Sequence, residues 1–419
     1  MDAADRTLQR GLVAVDHGCI VHVGCNDAGY TASTEIDGRR KLLMPGLINA
    51  HTHIAMTLFR GLAEDIPLDA WLEKVIWPRE AKLKPEDVYA GALLGCAELI
   101  KTGTTCFNDM YFFMDQVAEA VAKSGLRAVL AEGIIEQGDP KKGQEALQKS
   151  EVFAKNYHRY AGGRVRTRLG PHSEYSCSPE FLRKVKDRAQ SLGVGIHMHL
   201  AESKPYADSV AAKLGKSATR RLEEIGFLDD QLIVAHCIHV HQEEMNILAR
   251  HQVGIAHCPV SNMKVALGIA KIVDMVNRGI PVGIGTDGPA SNNHVDMLKD
   301  MKIAALAQKS LYGDARALPA KKLLRMATID GAKALGLDGE IGSIEVGKKG
   351  DLILIDLNKP HLSPPADPWT TVAHSAMGSD VDTVVVEGRI LMQSRRLTQL
   401  NEQEVIEKAS KVAEQLLSR

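Results

Sequence analysis

The sequence lacks the cysteine pattern of a disulfide-stapled protein or a thiolate metal site. Its seven cysteines are odd in number, are scattered along the chain and form no Cys-x-x-Cys pair. Secreted disulfide frameworks and thiolate zinc sites both depend on paired, regularly spaced cysteines. We therefore predict reduced thiols and a cytoplasmic protein.

Long apolar runs and an excess of charge of either sign are also missing. No run of about 18 apolar residues, the length of a membrane helix, occurs, and residues 1–11 contain no apolar signal segment. Lys and Arg total 51 against 52 for Asp and Glu, so the net charge is −1. Without a basic field, nucleic acid and anionic membranes are not expected as partners, and a small neutral or zwitterionic ligand is favoured.

The chain does have enough apolar residues for a large core, because 45% of its 419 residues are hydrophobic. Residues 10–30, 339–357 and 382–392 alternate apolar and polar side chains between turns, which predicts half-buried strands near both termini. The predicted division of the chain has three parts: a β-sandwich accessory domain from residues 1–45 plus 336–395, a barrel from 46–335, and a C-terminal helix in 396–419.

The central part alternates short apolar runs with helix-like stretches. The eight runs are LLMPGLINAHTH, TGTTCFND, RAVLAEGI, VRTRLGPHS, VGIHMHLAE, LIVAHC, VGIAHCPVS and PVGIGTDG. Eight β-then-α units in roughly 290 residues are typical of a (β/α)8 TIM-type barrel enlarged by loops, since that fold usually has about 250 residues. The predicted fold class is α/β, with this barrel and a small β-sandwich formed from both termini.

Polar side chains follow these runs at the points where the strands end. The residues that share this position are His51, His53, His172, His199, His236, His257 and Asp287. Because the carboxyl ends of all strands of a parallel barrel meet at one mouth, we expect these side chains to surround a single cavity.

Imidazole and carboxylate groups at a barrel mouth predict a divalent metal site. His51 and His53 occupy positions i and i+2 of one strand and therefore point to the same face. His199, His236 and Asp287 complete the candidate shell. An ion held by such groups, with one position left for water, lowers the pKa of that water toward about 7 and supplies a nucleophile for hydrolysis.

The acid/base and ligand assignments each have an alternative. Glu202 lies three residues beyond His199, where a carboxyl group reaches the bound water, and is the candidate general acid/base. His197 alternates with His199 in the same strand and is the alternative ligand, although the alignment of Glu202 with His199 favours His199. His257 suits a structural role, or a role as a support behind the ligands, as well as it suits direct metal binding, and Asp287 by itself also fits a turn cap.

Longer motifs that contain these residues resemble a known family. MPGLINAHTHIAMTLFRG, HMHLAES, AHCIH, GTDGPASNN and GSIEVGKKGDLILID occur in order over nearly the whole chain. Together they resemble the amidohydrolase superfamily, in its branch of methylthioadenosine/S-adenosylhomocysteine deaminases and 5′-deoxyadenosine deaminases. The resemblance implies a hydrolase that converts 5′-substituted adenosines to inosine analogues with release of ammonia. It also implies a homo-oligomer, as a dimer or tetramer.

The resemblance further implies a role for each polar group at the mouth. The implied metal ligands are His51, His53, His199 and Asp287. Glu202 would protonate a purine ring nitrogen as hydroxide attacks C6, Asp287 would carry a second proton, and His236 would polarise or position the hydroxide.

Three more residues are implied to contact the nucleoside, beside Glu202 and Asp287. Glu80 in IWPRE would bind the ribose hydroxyls, Trp71 would line the pocket, and His172 in GPHS would contact the sugar side. Their alternative readings are a surface helix charge, a core aromatic residue and an ordinary strand-end histidine.

The region expected to bind the 5′ substituent departs from the family pattern. Members that accept S-adenosylhomocysteine are expected to present arginines after the third strand, because Arg binds a carboxylate through two parallel hydrogen bonds. Here Glu132 lies near one expected arginine position, and the nearby cations are Lys141 and Lys142. We therefore predict 5′-deoxyadenosine and 5′-methylthioadenosine as the preferred substrates, with S-adenosylhomocysteine and adenosine as further candidates.

The metal and two rival functions stay open at the level of the sequence. Zinc is the default metal, while Fe²⁺, Mn²⁺ and Ni²⁺ accept the same imidazole and carboxylate ligands. A related amidohydrolase acting on guanine, cytosine or a triazine would keep the metal shell and change the pocket. A catalytically silent barrel that serves as a binding protein is the alternative from another class, although here every ligand position is filled.

Overall fold

The structure is a computed structural model that describes residues 2, 5–25, 29, 31–62, 64–364 and 367–419. The predicted accessory domain also includes residues 1, 3, 4, 26–28, 30, 365 and 366, and the predicted barrel includes residue 63. These positions lie outside the described residues.

The strands of the described residues fall into a central group and a terminal group. In chain order they are β1 Leu12–Asp16, β2 Cys19–Gly24, β3 Lys41–Pro45, β4 Leu47–Thr52, β5 Thr104–Tyr111, β6 Arg127–Ile134, β7 Val165–Pro171, β8 Gly195–Leu200, β9 Leu232–His236, β10 Gly254–His257, β11 Val282–Ile284, β12 Leu352–Asp356, β13 Val381–Val386, β14 Arg389–Gln393 and β15 Arg396–Leu397.

Eight parallel strands, β4 to β11, form the barrel in the order of the sequence. The row of hydrogen-bonded strands ends at β4 and β11, which meet at a seam. There Asp287 N donates to His51 O at 2.9 Å, and the Asn49 side chain donates to Thr286 Oγ1 at 2.7 Å. Gly285 permits this approach, because a Cβ at that position would lie 2.9 Å from the His51 backbone. The predicted (β/α)8 barrel is confirmed.

In the described part of the chain, helices follow each of the barrel strands, and two more follow strands of the terminal group. They are α1 Leu68–Ala70, α2 Trp77–Glu80, α3 Pro85–Lys101, α4 Met114–Ser124, α5 Pro140–Tyr157, α6 Pro179–Leu192, α7 Lys204–Leu214, α8 Ala218–Glu224, α9 Gln242–Arg250, α10 Pro259–Lys264, α11 Ile272–Asn277, α12 Pro289–Asn292, α13 Met297–Tyr312, α14 Ala320–Met326, α15 Ile329–Ala334, α16 Pro368–Thr370 and α17 Glu402–Ser418. Among the described residues, no helix combines the length and the apolar character needed to cross a membrane.

Local sequence explains where a typical barrel helix begins and ends. At the start of α6 the Ser178 side chain accepts a hydrogen bond from Phe181 N, and Pro179 occupies the first turn. Gly193 ends the helix with a φ of 65°, a left-handed conformation that glycine adopts without strain. A different arrangement occurs at α1 and α2, which the π-helical segment Trp71–Ile76 joins into one continuous helix.

The terminal strands form the accessory β-structure, with contributions from both ends of the chain as predicted. β3 joins β12, β13, β14 and β15 in a five-stranded antiparallel sheet, and β1 pairs with β2 in a hairpin. Arg127 of β6 connects this sheet to the barrel, because its Nε donates to Asp351 Oδ2 at 2.9 Å and its Nη2 to Glu387 Oε1 at 3.0 Å. Arg127 and Asp351 are both buried.

Candidate active site

Five polar side chains converge where the barrel strands end. His51 belongs to β4, His199 to β8 and His236 to β9, while His53 and Asp287 lie just beyond β4 and β11. Nitrogen atoms of His51, His53 and His199 lie within 4.8 Å of one another, and the same holds for donor atoms of His51, His236 and Asp287. The fold thus brings the whole candidate metal shell into one cluster.

Neighbouring oxygen atoms fix the orientation of three of these imidazoles. The Nδ1 atoms of His53, His199 and His236 lie 2.5 Å from Met110 O, 2.7 Å from His172 O and 2.9 Å from Asn262 Oδ1. Because an oxygen acceptor requires a proton on Nδ1, the Nε2 atoms of His53 and His199 keep a free lone pair directed at the cluster. Oxygen contacts of this kind are the usual support for histidines that bind metal.

His197 lies behind the cluster rather than in it. Its Nε2 is 2.8 Å from His51 Nδ1 and 3.2 Å from the Asn108 side-chain nitrogen. His51 therefore turns its Nδ1 edge toward His197 and its Nε2 toward Asp287, 3.4 Å away. This geometry favours His199 over His197 as a ligand and gives His197 the role of a support for His51.

Asp287 is held by hydroxyl groups that sequence reasoning missed. Its Oδ2 accepts hydrogen bonds from Ser261 Oγ at 2.5 Å and Ser291 Oγ at 2.9 Å, while Oδ1 lies 3.3 Å from His53 Nε2. Burial alone would raise the pKa of Asp287, but the adjacent His51 imidazole and the other nearby histidines hold it well below its ordinary value. A carboxylate that stays ionised in this way is suited to binding a cation.

Glu202 and His236 form a second feature of the same cavity. The Glu202 carboxylate lies 3.7 Å from His236 Nε2. Burial raises the pKa of Glu202, although His236 opposes the shift. Burial would lower the pKa of His236, but the Glu202 and Asp287 carboxylates outweigh it and raise that pKa above its ordinary value. Coupled groups with shifted pKa values are typical of proton-transfer sites.

A cavity opens next to the cluster and contains about 850 Å³ of space, including the part open to solvent. One wall comes from the continuous helix of α1 and α2, which contributes Leu68, Trp71, Leu72, Ile76 and Trp77. The volume and the mixture of an apolar wall with polar groups at the base are typical of small-molecule sites. Trp71, predicted to line a pocket, is buried in this wall.

Glu80 and His172 also line this cavity. Burial raises the pKa of Glu80, while the neighbouring Tyr111 hydroxyl and His53 oppose the shift. Burial and the nearby histidines lower the pKa of His172 to about 3, so its ring is neutral. Nothing in the sequence indicated a role for Tyr111, because a tyrosine at the end of an apolar strand is typical of an ordinary core residue.

The cations predicted near the 5′ end lie outside the cavity. Lys141 and Lys142 are exposed in the first turn of α5, and Lys142 Nζ donates to Gln137 Oε1 at 3.2 Å. Glu132 is buried, forms a salt bridge with Lys149 Nζ at 2.5 Å and accepts a hydrogen bond from Met114 N at 2.8 Å. Among the described residues, the cavity lining includes no lysine or arginine.

His257 is placed at the end of β10 but does not line the cavity. The ring is buried, and burial together with His236 lowers its pKa to about 3. Within the described part of the chain neither ring nitrogen has a hydrogen-bond partner. The geometry therefore leaves His257 outside the cluster of donor atoms.

Comparison with known proteins gives consistent matches over nearly the whole chain. Residues 42–391 match the amidohydrolase family. The chain is 46% identical over 418 residues to a 5′-deoxyadenosine deaminase of Methanosarcina acetivorans, covering 100% of this chain and 96% of the relative. It is 45% identical over 405 residues to a 5-methylthioadenosine/S-adenosylhomocysteine deaminase of Moorella thermoacetica, covering 96% and 94% of the two chains.

A solved structure gives a match of the same extent. An adenosine deaminase from Xanthomonas campestris with bound zinc superimposes with a TM-score of 0.94 at 32% identity. The superposition covers 98% of this chain and 95% of that one.

Proposed function

Because the chain belongs to the amidohydrolase family, we propose that it is a metal-dependent deaminase that converts 5′-substituted adenosines and water to inosine analogues and ammonia. The observation that carries this proposal is the position of Glu202. It places a partly buried carboxyl group with a raised pKa in the same cavity as the His/Asp cluster. Removal of an amine requires such a proton donor, whereas a leaving group such as chloride does not.

The donor set of the cluster fits a divalent cation. His51 Nε2 is buried without a well-formed hydrogen bond among the described residues, and a buried nitrogen in that state is costly unless a cation or a donor meets it. We propose His51, His53, His199 and Asp287 as the ligands, with zinc as the metal because the adenosine deaminase structure carries it. Fe²⁺, Mn²⁺ and Ni²⁺ suit the same ligands. The bound cation would supply Lewis-acid activation of water at neutral pH.

The residues around the cluster are proposed to transfer the protons of the reaction. Glu202 donates a proton to the purine ring nitrogen next to C6 as the water oxygen attacks that carbon. Asp287 accepts one proton from the attacking water and passes it to the amine, which leaves as ammonia, while the other water proton returns to Glu202 as the C6 carbonyl forms. His236, beside both carboxylates, orients the water and stabilises the negative charge that develops on its oxygen.

The nucleoside is proposed to lie between the metal cluster and the apolar wall. Glu80, partly buried beside the Tyr111 hydroxyl, accepts hydrogen bonds from the two ribose hydroxyls. His172, neutral at physiological pH, contacts the sugar, and Trp71 covers the apolar side.

We propose a preference for uncharged 5′ substituents. The described lining carries no cation to pair with the carboxylate of S-adenosylhomocysteine, and Lys141 and Lys142 lie outside it. A deoxy or methylthio group instead meets an apolar wall, where burial contributes about 25 cal/mol per Å². 5′-Deoxyadenosine and 5′-methylthioadenosine should therefore react best.

The test is ammonia release by the zinc-loaded protein with 5′-deoxyadenosine, 5′-methylthioadenosine, S-adenosylhomocysteine, adenosine, guanine, cytosine and a triazine under one set of conditions. We expect the two nucleosides with uncharged substituents to have the highest kcat/KM. Turnover of a free base or a triazine alone would contradict the nucleoside assignment, and no turnover with any compound would favour a silent binding barrel.

We also propose a cytoplasmic homo-oligomer. All seven cysteines are free, which suits a reducing compartment. Light scattering of the purified protein should give the mass of a dimer or a tetramer, and a monomeric mass would contradict this part of the proposal.

A further inference from the structure

The backbone that carries Glu202 has an unusual conformation at the preceding residue. Ala201 has a φ of 48°, in the left-handed region that residues with a Cβ rarely adopt. This residue turns the chain away from β8, so that Glu202 projects into the cavity. The Glu202 carboxylate lies 3.7 Å from His236 Nε2, too far for a hydrogen bond, so its position depends strongly on this backbone turn.

Three loops meet at Ala201 through hydrogen bonds. Glu174, in the loop after β7, accepts a hydrogen bond from Ala201 N at 3.0 Å through one carboxylate oxygen. On the other side, Ala201 O accepts hydrogen bonds from Ile238 N at 3.1 Å and His239 N at 3.0 Å, in the loop after β9. The strained turn is therefore held from both sides, and Glu174 supplies the side-chain contact.

From this geometry we infer that Glu174 is a positioning residue, whose carboxylate holds the Ala201 turn and thereby directs Glu202 at the substrate. The inference rests on the proposed deamination, in which Glu202 moves the proton. Glu174 is not a member of the donor cluster, and its hydrogen bond to the turn that carries Glu202 is made with the backbone of Ala201.

The proposed role of Glu174 depends on its hydrogen bond to Ala201 N and not on a negative charge. The second carboxylate oxygen of Glu174 supports this interpretation. That oxygen is buried and has no hydrogen-bond partner among the described residues. Burial raises the pKa of Glu174 to about 7. A neutral glutamine of the same shape, which keeps one oxygen to accept from Ala201 N, should therefore replace it, whereas alanine should not.

The test compares Glu174→Gln, Glu174→Ala and the double variant Glu174→Ala/Ala201→Gly with the unmodified zinc-loaded protein. In Glu174→Ala we expect kcat to fall by about tenfold to a hundredfold, the effect of a small misplacement of a reacting group, with little change in KM or zinc content. Glu174→Gln should retain most of kcat. The double variant should recover part of it, because glycine adopts a positive φ without support. Glu180→Ala, at an exposed position in α6, is the matched control.

Deuterium uptake of the peptide that contains Ala201 gives a readout that needs no substrate. We expect faster exchange of this amide in Glu174→Ala but not in Glu174→Gln. Unchanged kcat in Glu174→Ala, a Glu174→Gln variant as slow as Glu174→Ala, or unchanged exchange would overturn the inference. If the unmodified protein deaminates neither adenosine nor any of the 5′-substituted adenosines, the proposed function fails. The exchange data would still test whether Glu174 holds the Ala201 turn.

Discussion

At the scale of single residues, we expect Glu202 to transfer protons without binding the metal, which sets it apart from the proposed metal ligands. Glu202→Gln keeps the size of the side chain but removes the proton, and Glu202 is outside the donor cluster. We expect the metal content to stay the same and kcat to fall by at least about a hundredfold, the scale of general acid/base catalysis. Near-normal turnover of Glu202→Gln would contradict the proposed role of Glu202 as the general acid/base. Glu243→Gln, at an exposed position of α9, is the control.

Substitutions of the two histidines of β8 should weaken metal binding to different extents. His199→Ala removes a nitrogen of the cluster, so elemental analysis after dialysis should find most of the metal lost. His197→Ala removes only the support 2.8 Å from His51 Nδ1, and losses of about 10- to 100-fold in affinity are typical of such outer contacts. Full metal content in His199→Ala together with loss in His197→Ala would exchange their roles. The exposed His241→Ala controls for nonspecific loss.

The residues predictable from sequence are those that share a position relative to a strand. His51, His199 and Asp287 were found because each follows an apolar run, and parallel strands end at a common mouth. Ser261 and Ser291 gave no comparable signal, because serine is common in turns and only the fold brings these hydroxyls to Asp287. Whether a residue is a hydrogen-bond partner depends on distances between side chains in the folded protein, and the spacing of residues along the sequence does not give those distances.

At the scale of elements, we propose that the 5′ substituent binds beside the segment directly after β6. Ile135 lines the cavity there, and Ile135→Arg would place a guanidinium where a homocysteine carboxylate can reach it. Hydrogen bonds to charged groups contribute about 1.5–3 kcal/mol. The ratio of kcat/KM for S-adenosylhomocysteine to that for 5′-methylthioadenosine should therefore rise by about tenfold or more.

Two further variants separate size from charge at this position. Ile135→Leu should leave the ratio unchanged, and Ile135→Lys should raise it less than Ile135→Arg, because lysine lacks the planar fork. An unchanged ratio in all three variants would show that the 5′ substituent lies elsewhere in the cavity.

The sequence predicted which segments are barrel strands more readily than it predicted the type of helix in each connection. The eight barrel strands were predicted because buried parallel strands are short apolar runs between turns. The π-helical segment Trp71–Ile76 was not, since its backbone gives no distinct pattern and its apolar residues also suit an ordinary helix. That segment supplies Trp71, Leu72 and Ile76 of the apolar wall, so an element that the sequence did not predict helps to shape the candidate site.

At the scale of the whole molecule, one buried ion pair connects the accessory sheet to the barrel. Asp351→Asn would remove a buried negative charge from Arg127, leaving Glu387 as its other charged partner. Breaking a buried pair typically destabilises a protein by about 3–5 kcal/mol. Urea denaturation should show a lower midpoint, while kcat of the folded protein stays the same because the pair is remote from the cavity. Asp314→Asn, in an exposed pair with Arg316, should leave the midpoint unchanged.

We expect a bound metal ion to stabilise the seam between β4 and β11. His51 lies on β4 and Asp287 just beyond β11, so a cation bound by both would bridge the seam where the row of hydrogen-bonded strands ends. A ligand at 100 times its Kd stabilises the folded state by about 2.7 kcal/mol. Removal of the metal by a chelator should lower Tm and speed deuterium exchange in β4 and β11 more than in β6 and β7. In His53→Ala the Tm should no longer respond to chelator. Equal acceleration in all barrel strands would mean that the metal stabilises the fold only by mass action and does not reinforce the seam.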